Sequence, residues 1–102
     1  MSATVSASGY GNHLVPQVQV EFYGIPRARA GVAQAKATAT TLGDLALSLS
    51  QLFPGLGECC FDGPHFRPGY TANLSGDRFT TDPTTPISDG DTILILSLDA
   101  GG

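Results

Sequence analysis

Two groups of residues in this chain of 102 could carry chemistry. The first is the end of the sequence, Asp99-Ala100-Gly101-Gly102. Its last two residues have no side chain, so they make a thin thread carrying one carboxylate. Extended, four residues reach roughly 13 Å, at about 3.3 Å each, and a tip without Cβ atoms can enter a narrow channel in another protein. A carboxylate is a poor electrophile because hydroxide is a poor leaving group, and attachment of AMP would make the carbonyl open to attack. The plain alternative is a frayed terminus. The strongly apolar segment directly before the glycines favours the functional reading. The second group is Cys59-Cys60. Neighbours in sequence do not make an ordinary structural staple, so one is expected to face the core and the other outward. Two such cysteines fit a reducing cytoplasm, with a reactive thiol as the weaker reading.

The absences matter as much. There is no G-x-x-x-x-G-K-[ST] loop, no G-x-S-x-G elbow, no H-E-x-x-H and no cysteine pair at zinc spacing, and Lys36 is the sole lysine. The aspartates are scattered over turns without pairing. His13 and His65 each lack a second ligand at useful spacing, so no metal site is expected. A complete active site is not expected either, so the chain is no enzyme and holds no stable cofactor. Any ATP would be used by a separate enzyme. The net charge of −4 argues against nucleic acid as a partner and suits steering toward a basic pocket. No basic-then-apolar leader marks a signal peptide, and the longest aliphatic run, Ile93 to Leu96, is far too short to span a bilayer.

These residues need elements to position them. Residues 1–16 are rich in Ser, Ala and Gly without periodicity and read as a flexible leader. Residues 17–98 read as one domain and 99–102 as a flexible tail. Gln17 to Tyr23 alternates, with Val18, Val20 and Phe22 on one face, as in a half-buried strand. Gly24-Ile25-Pro26 breaks it, and a loop runs to Gly31, with Arg27 and Arg29 as solvated charges or, less strongly, partner contacts. Val32 to Thr40 alternates Ala against polar residues and reads as a hairpin strand. Thr41 is a good N-cap with Asp44 three residues on, close to a capping box. Leu42, Leu45, Leu49 and Leu52, with Ala46 and Phe53, form an apolar stripe, and Pro54-Gly55 ends the helix. Glu58 to Phe61 reads as a short strand, Asp62 to Gly69 as a loop, Tyr70 to Leu74 as a strand, Ser75-Gly76-Asp77 as a turn, and Arg78 to Thr81 as its return. Asn73-Leu74-Ser75 matches a glycosylation acceptor, a frequent chance motif. After a proline-bounded connector, Ser88-Asp89-Gly90-Asp91 has turn chemistry, and Thr92 to Leu98 has the composition of a buried strand. The order predicts an α+β fold: a mixed sheet with one main helix on one face, and the last strand parallel beside the first. One helix covers only one face, so the other face, beside the tail, is a candidate docking surface.

The segment Thr85-Pro86-Ile87-Ser88-Asp89-Gly90-Asp91, the apolar strand after it and the closing Gly101-Gly102 resemble the C-terminal end of the MoaD/ThiS sulfur carriers, which are ubiquitin-like proteins with the β-grasp fold. Val18 to Tyr23 resembles that family's first strand, Arg27 to Val32 its first hairpin loop, and Thr41 to Leu45 through Phe53-Pro54-Gly55-Leu56 its helix and exit. The resemblance runs from about Gln17 to Gly102. The leader and the Asp62–Gly69 loop are longer than a minimal carrier needs. The resemblance implies that Gly102 is adenylated by an ATP-dependent activating enzyme and converted to a thiocarboxylate, and that a sulfur-accepting synthase subunit then takes the sulfur. It implies that Gly101 gives clearance and that Ile93, Ile95, Leu96, Leu98, Asp99 and Ala100 dock the domain. The most similar case is the small subunit of molybdopterin synthase. Carriers for thiamine, cysteine or tRNA thiolation stay open, as does a protein modifier joined through Gly102 to target lysines. A plain binding module with an accidental Gly-Gly is the third class.

Overall fold

The computed structural model describes residues 15–98. Their elements run β1 (Gln17–Phe22), α1 (Ile25–Ala30), β2 (Gln34–Thr38), α2 (Leu42–Leu52), α3 (Pro54–Cys59), β3 (Phe61–Asp62), β4 (His65–Phe66), β5 (Tyr70–Leu74), β6 (Arg78–Thr80) and β7 (Thr92–Ser97). Five strands form one sheet in the order β2-β1-β7-β5-β6. The first and last strands lie parallel at its centre, with Val20 opposite Ile93 and Phe22 opposite Ile95. Every other pairing is antiparallel.

Alternation decides which side of the sheet is core. Val18, Val20 and Phe22 of β1, Ala37 of β2, Ala72 and Leu74 of β5, and Ile93 and Ile95 of β7 are buried together. Leu42, Leu45, Ala46 and Leu49 of α2 close over them. Thr41 caps this helix: its Oγ1 accepts the Asp44 backbone N–H at 3.2 Å. The reciprocal half of a capping box is missing, since the Asp44 carboxylate instead accepts the Thr40 hydroxyl. Leu52, expected in the apolar stripe, is 56% exposed, because it ends the helix beside the outer strand. Phe53, half-buried, stacks edge-on to Phe22 at 5.6 Å between ring centroids.

Three local expectations are corrected. The segment after Gly24 is not a loop but the short helix α1, with Pro26 in its first turn and Gly31 closing it at φ +80°. Pro54-Gly55 ends α2 but opens α3, so Glu58 and Cys59 are helical and the next strand begins only at Phe61. Within Asp62–Gly69, the Gly63-Pro64 turn joins β3 to β4 in a two-stranded hairpin, with Phe61 and Phe66 edge to face at 5.0 Å. Backbone contacts explain α3, whose composition is poor for a helix. A Cβ on Gly55 would meet the Arg29 carbonyl oxygen at 2.7 Å, and one on Gly57 would meet Ser50 Cβ at 2.9 Å. Glycine lets α3 press against both α1 and α2.

The leader expectation covered residues 1–16, of which 1–14 lie outside the described residues. The Pro16 carbonyl already accepts the Ala39 N–H at 3.1 Å, so the sheet's influence begins there.

Candidate functional site

The turn before β7 sets its position. Gly90 adopts φ +86°, a conformation glycine takes without steric cost. The Asp91 carboxylate accepts the Ser88 N–H at 2.9 Å, and Asp89 accepts the Gln17 N–H at 2.8 Å. The Gly90 N–H returns to the Gln17 carbonyl at 2.9 Å. The entry to the last strand is thus clamped to the start of the first. At its exit, Leu98 donates to the Gly69 carbonyl at 2.7 Å.

Between these clamps the strand has two unlike faces. Ile93 and Ile95 are wholly buried under the helices. They build the core and have no surface to offer, which corrects their expected role in docking. Leu94 and Leu96 point to the opposite side, where no helix of the described residues covers the sheet, and are half-buried. Leu98 continues that row and is 63% exposed. The expectation that both faces of the last strand are apolar therefore holds, and the row with surface left to offer is Leu94-Leu96-Leu98. The signal was in the sequence: Leu94 shares its parity with Leu96 and Leu98, opposite to the isoleucines. Asp99, Ala100, Gly101 and Gly102 lie outside the described residues.

Register extends the row sideways. Leu94 is opposite Glu21 on β1 and Asn73 on β5, and Asn73 is opposite Phe79 on β6. Phe79 is 63% exposed. Sequence reasoning missed it, since a lone aromatic in a three-residue strand gives no periodicity. The open face therefore divides. Over β7 and β6 it presents Leu94, Leu96 and Phe79, and between them β5 contributes the buried polar side chains of Thr71 and Asn73. Over β1 and β2 it is polar: Gln19 donates to Gln34 at 3.0 Å, and Tyr23 donates its hydroxyl to the Glu21 carboxylate at 2.6 Å. That hydrogen bond, with the carboxylate's charge, holds the Tyr23 hydroxyl above the usual tyrosine range.

Asn73 lies between Leu94 and Phe79. It is 6% exposed, which leaves no room for a glycan. Its Oδ1 is buried and accepts no hydrogen bond among the described residues. A buried acceptor without a donor costs about 1–3 kcal/mol.

The cysteines divide as expected, though from a helix end and not a strand. Cys60 is buried and Cys59 is partly exposed. The Cys59 thiol lies 3.2 Å from the Tyr70 hydroxyl. Burial first, and the adjacent Cys59 next, push the Cys60 thiol up to about 12. That holds it protonated and unreactive at neutral pH. Among the described residues, no three His, Cys, Asp or Glu side chains come together to hold a metal ion, and no helix is long and apolar enough to cross a membrane. A groove of about 400 Å³ beside β2 is lined by Lys36, Thr38, Ser48 and Gln51 among others, and the Ser48 hydroxyl donates to the Thr38 carbonyl at 3.4 Å. Arg27 and Arg29 are exposed on α1.

No protein-family model matches the chain, and no curated protein matches it in sequence. Solved structures do. The solution structure of small archaeal modifier protein 1 from Methanosarcina acetivorans is similar with a TM-score of 0.73 and 21% identity, over 86% of this chain and 98% of that one. CysO in the Amycolatopsis orientalis BexX/CysO complex gives 0.70 and 20%, over 83% and 99%. The complex of subunits 1 and 2 of molybdopterin-converting factor from Helicobacter pylori gives 0.58 and 26%, over 84% and 99%. These similarities establish the β-grasp, ubiquitin-like fold that the sequence resemblance implied. They also bear out the resemblance itself, since the neighbours include a molybdopterin-converting factor and CysO. Two of the three were solved with a protein partner.

Proposed function

We propose that the chain is a sulfur carrier of the MoaD/ThiS type, a co-substrate and not a catalyst. A separate ATP-dependent enzyme adenylates Gly102, the carboxylate oxygen is replaced by sulfur, and a synthase subunit accepts that sulfur. Gly101 and Gly102 enter the partner's active site, while Leu94, Leu96 and Leu98 seat the domain outside it. The observation that carries this reading is the row of leucines along the central strand, uncovered on the open face and running directly into Asp99-Ala100-Gly101-Gly102. Molybdopterin synthesis is the favoured pathway, supported by the likeness to a subunit of molybdopterin-converting factor. The likeness to CysO supports a cysteine pathway as the nearest rival.

The test is mass spectrometry after incubation with the cognate activating enzyme, ATP and a sulfur donor. Replacement of one oxygen by sulfur, mapped to Gly102, is the expected result, and an unchanged mass rejects the reading. A second reading, a modifier joined through Gly102 to target lysines, is favoured by the likeness to small archaeal modifier protein 1. Isopeptide-linked adducts that vanish when Gly102 is deleted would support it.

A further inference from the structure

We infer that Asn73 selects which protein may dock, by accepting a hydrogen bond from a donor that the partner inserts between Leu94 and Phe79. The inference rests on the carrier reading for the existence of a docking enzyme, but not on the chemistry at Gly102.

The orphan oxygen is the starting point. The Asn73 Oδ1 is buried without a donor among the described residues, in a side chain 6% exposed. Native proteins pair more than nine in ten buried polar groups, so an unpaired one asks for a reason. The fold does not require asparagine here. The flanking residues in the same row are Leu94 and Phe79, and an aliphatic residue would fill the gap without an unmet acceptor. The sequence instead places an amide between two apolar cross-strand neighbours, on the face that no helix of the described residues covers. Phe79 is mostly exposed, so its ring has solvent to swing into as a donor arrives.

The row also indicates the donor's chemistry. Leu94 stands between two acceptors, the Glu21 carboxylate on β1 and the Asn73 carbonyl oxygen on β5. Glu21 already accepts from Tyr23, but its second oxygen is free to take another donor. The net charge of the chain is −4. A partner that fits is therefore an apolar surface carrying a cationic side chain, which donates to Asn73 with the Glu21 carboxylate's charge nearby. A purely apolar partner would leave Asn73 unsatisfied under a dry interface and is selected against.

The experiment is calorimetric titration of the cognate activating enzyme with the full chain, the Asn73→Leu variant and the Asn73→Asp variant. Leucine removes the acceptor and aspartate keeps an acceptor oxygen. We expect Asn73→Leu to bind roughly tenfold or more weakly, the scale of one lost hydrogen bond to a charged donor, and Asn73→Asp to bind within a few-fold of the unmodified chain. Melting of the free chains gives an independent readout, with Asn73→Leu melting higher because the orphan acceptor is gone. Equal affinity of Asn73→Leu and the unmodified chain overturns the inference, as does equal weakening of both variants, which would mark a packing role. Failure of the unmodified chain to bind overturns it together with the carrier reading. Binding that depends on Asn73 without sulfur transfer to Gly102 overturns only the carrier reading.

Discussion

The backbone N–H of Leu98 donates to the carbonyl of Gly69 at 2.7 Å, the tether between the end of the central strand and the turn that precedes β5. Gly69 holds φ +94° with nothing within 4 Å of where a Cβ would stand. Gly69→Ala should therefore cost backbone strain and not a clash, about 1–2 kcal/mol, while speeding hydrogen exchange at the Leu98 amide. Urea denaturation and exchange measure the two effects. Unchanged values would mean the turn relaxes without cost.

The helix contacts give the opposite kind of glycine. Gly55→Ala would drive a Cβ to 2.7 Å from the Arg29 carbonyl oxygen, which is backbone and cannot swing away. A loss of about 1–3 kcal/mol is expected, with a melting temperature lower by roughly 4–8 °C per kcal/mol for a domain of this size. Calorimetry checks it.

In α2 the two ends of the leucine stripe should behave differently. Leu49→Ala empties a fully buried site and should cost about 2–5 kcal/mol. Leu52→Ala changes an exposed side chain and should fall within about 0.5 kcal/mol of the parent. Equal losses would mean the helix sits differently on the sheet.

Alkylation separates the adjacent cysteines. In the native chain at neutral pH, iodoacetamide should modify Cys59 and spare Cys60, as read by peptide mass mapping. The Cys60 thiol also makes stability pH-dependent. Its folded value is raised to about 12, whereas an unfolded thiol titrates near about 8.5. Its contribution is thus full below the unfolded value and is lost as pH rises through the interval toward the folded one. Cys60→Ala should flatten the decline in stability across that alkaline window, and a variant that keeps the slope would assign the effect to another group.

Removal of Gly101 and Gly102 should abolish thiocarboxylate formation and leave affinity for the activating enzyme within a few-fold, because the leucine row would still seat the domain. A large loss of affinity would instead place most of the binding in the tail.

Strands with clean alternation were legible from the sequence: β1 and β7, with their parallel pairing, follow from Val18-Val20-Phe22 and from the Thr92–Leu98 composition. The N-cap at Thr41 was legible because its oxygen acts locally. The short helices were not. The Gly55 and Gly57 that argue against α3 on propensity are what permit its close approach to Arg29 and Ser50, a contact distant in sequence. The leucine row was half legible, since composition marked β7 as apolar but only its parity separates Ile93 and Ile95 from Leu94 and Leu96. Asn73 gave only a chance match to a glycosylation acceptor, which says nothing of a buried oxygen. Its oxygen is orphaned by the register that sets it between Leu94 and Phe79, and no local pattern encodes that pairing.

Lys36 stands in the middle of the outermost strand β2, on the polar half of the open face and away from the leucines. Because it is the sole lysine, a fluorophore or bead coupled through side-chain amines would mount every molecule by the same edge. Because Lys36 faces the same side of the sheet as the leucines, two strands away at about 5 Å per strand, such a mount would turn the leucine row toward the support, so surface-based binding measurements call for a tether at another site.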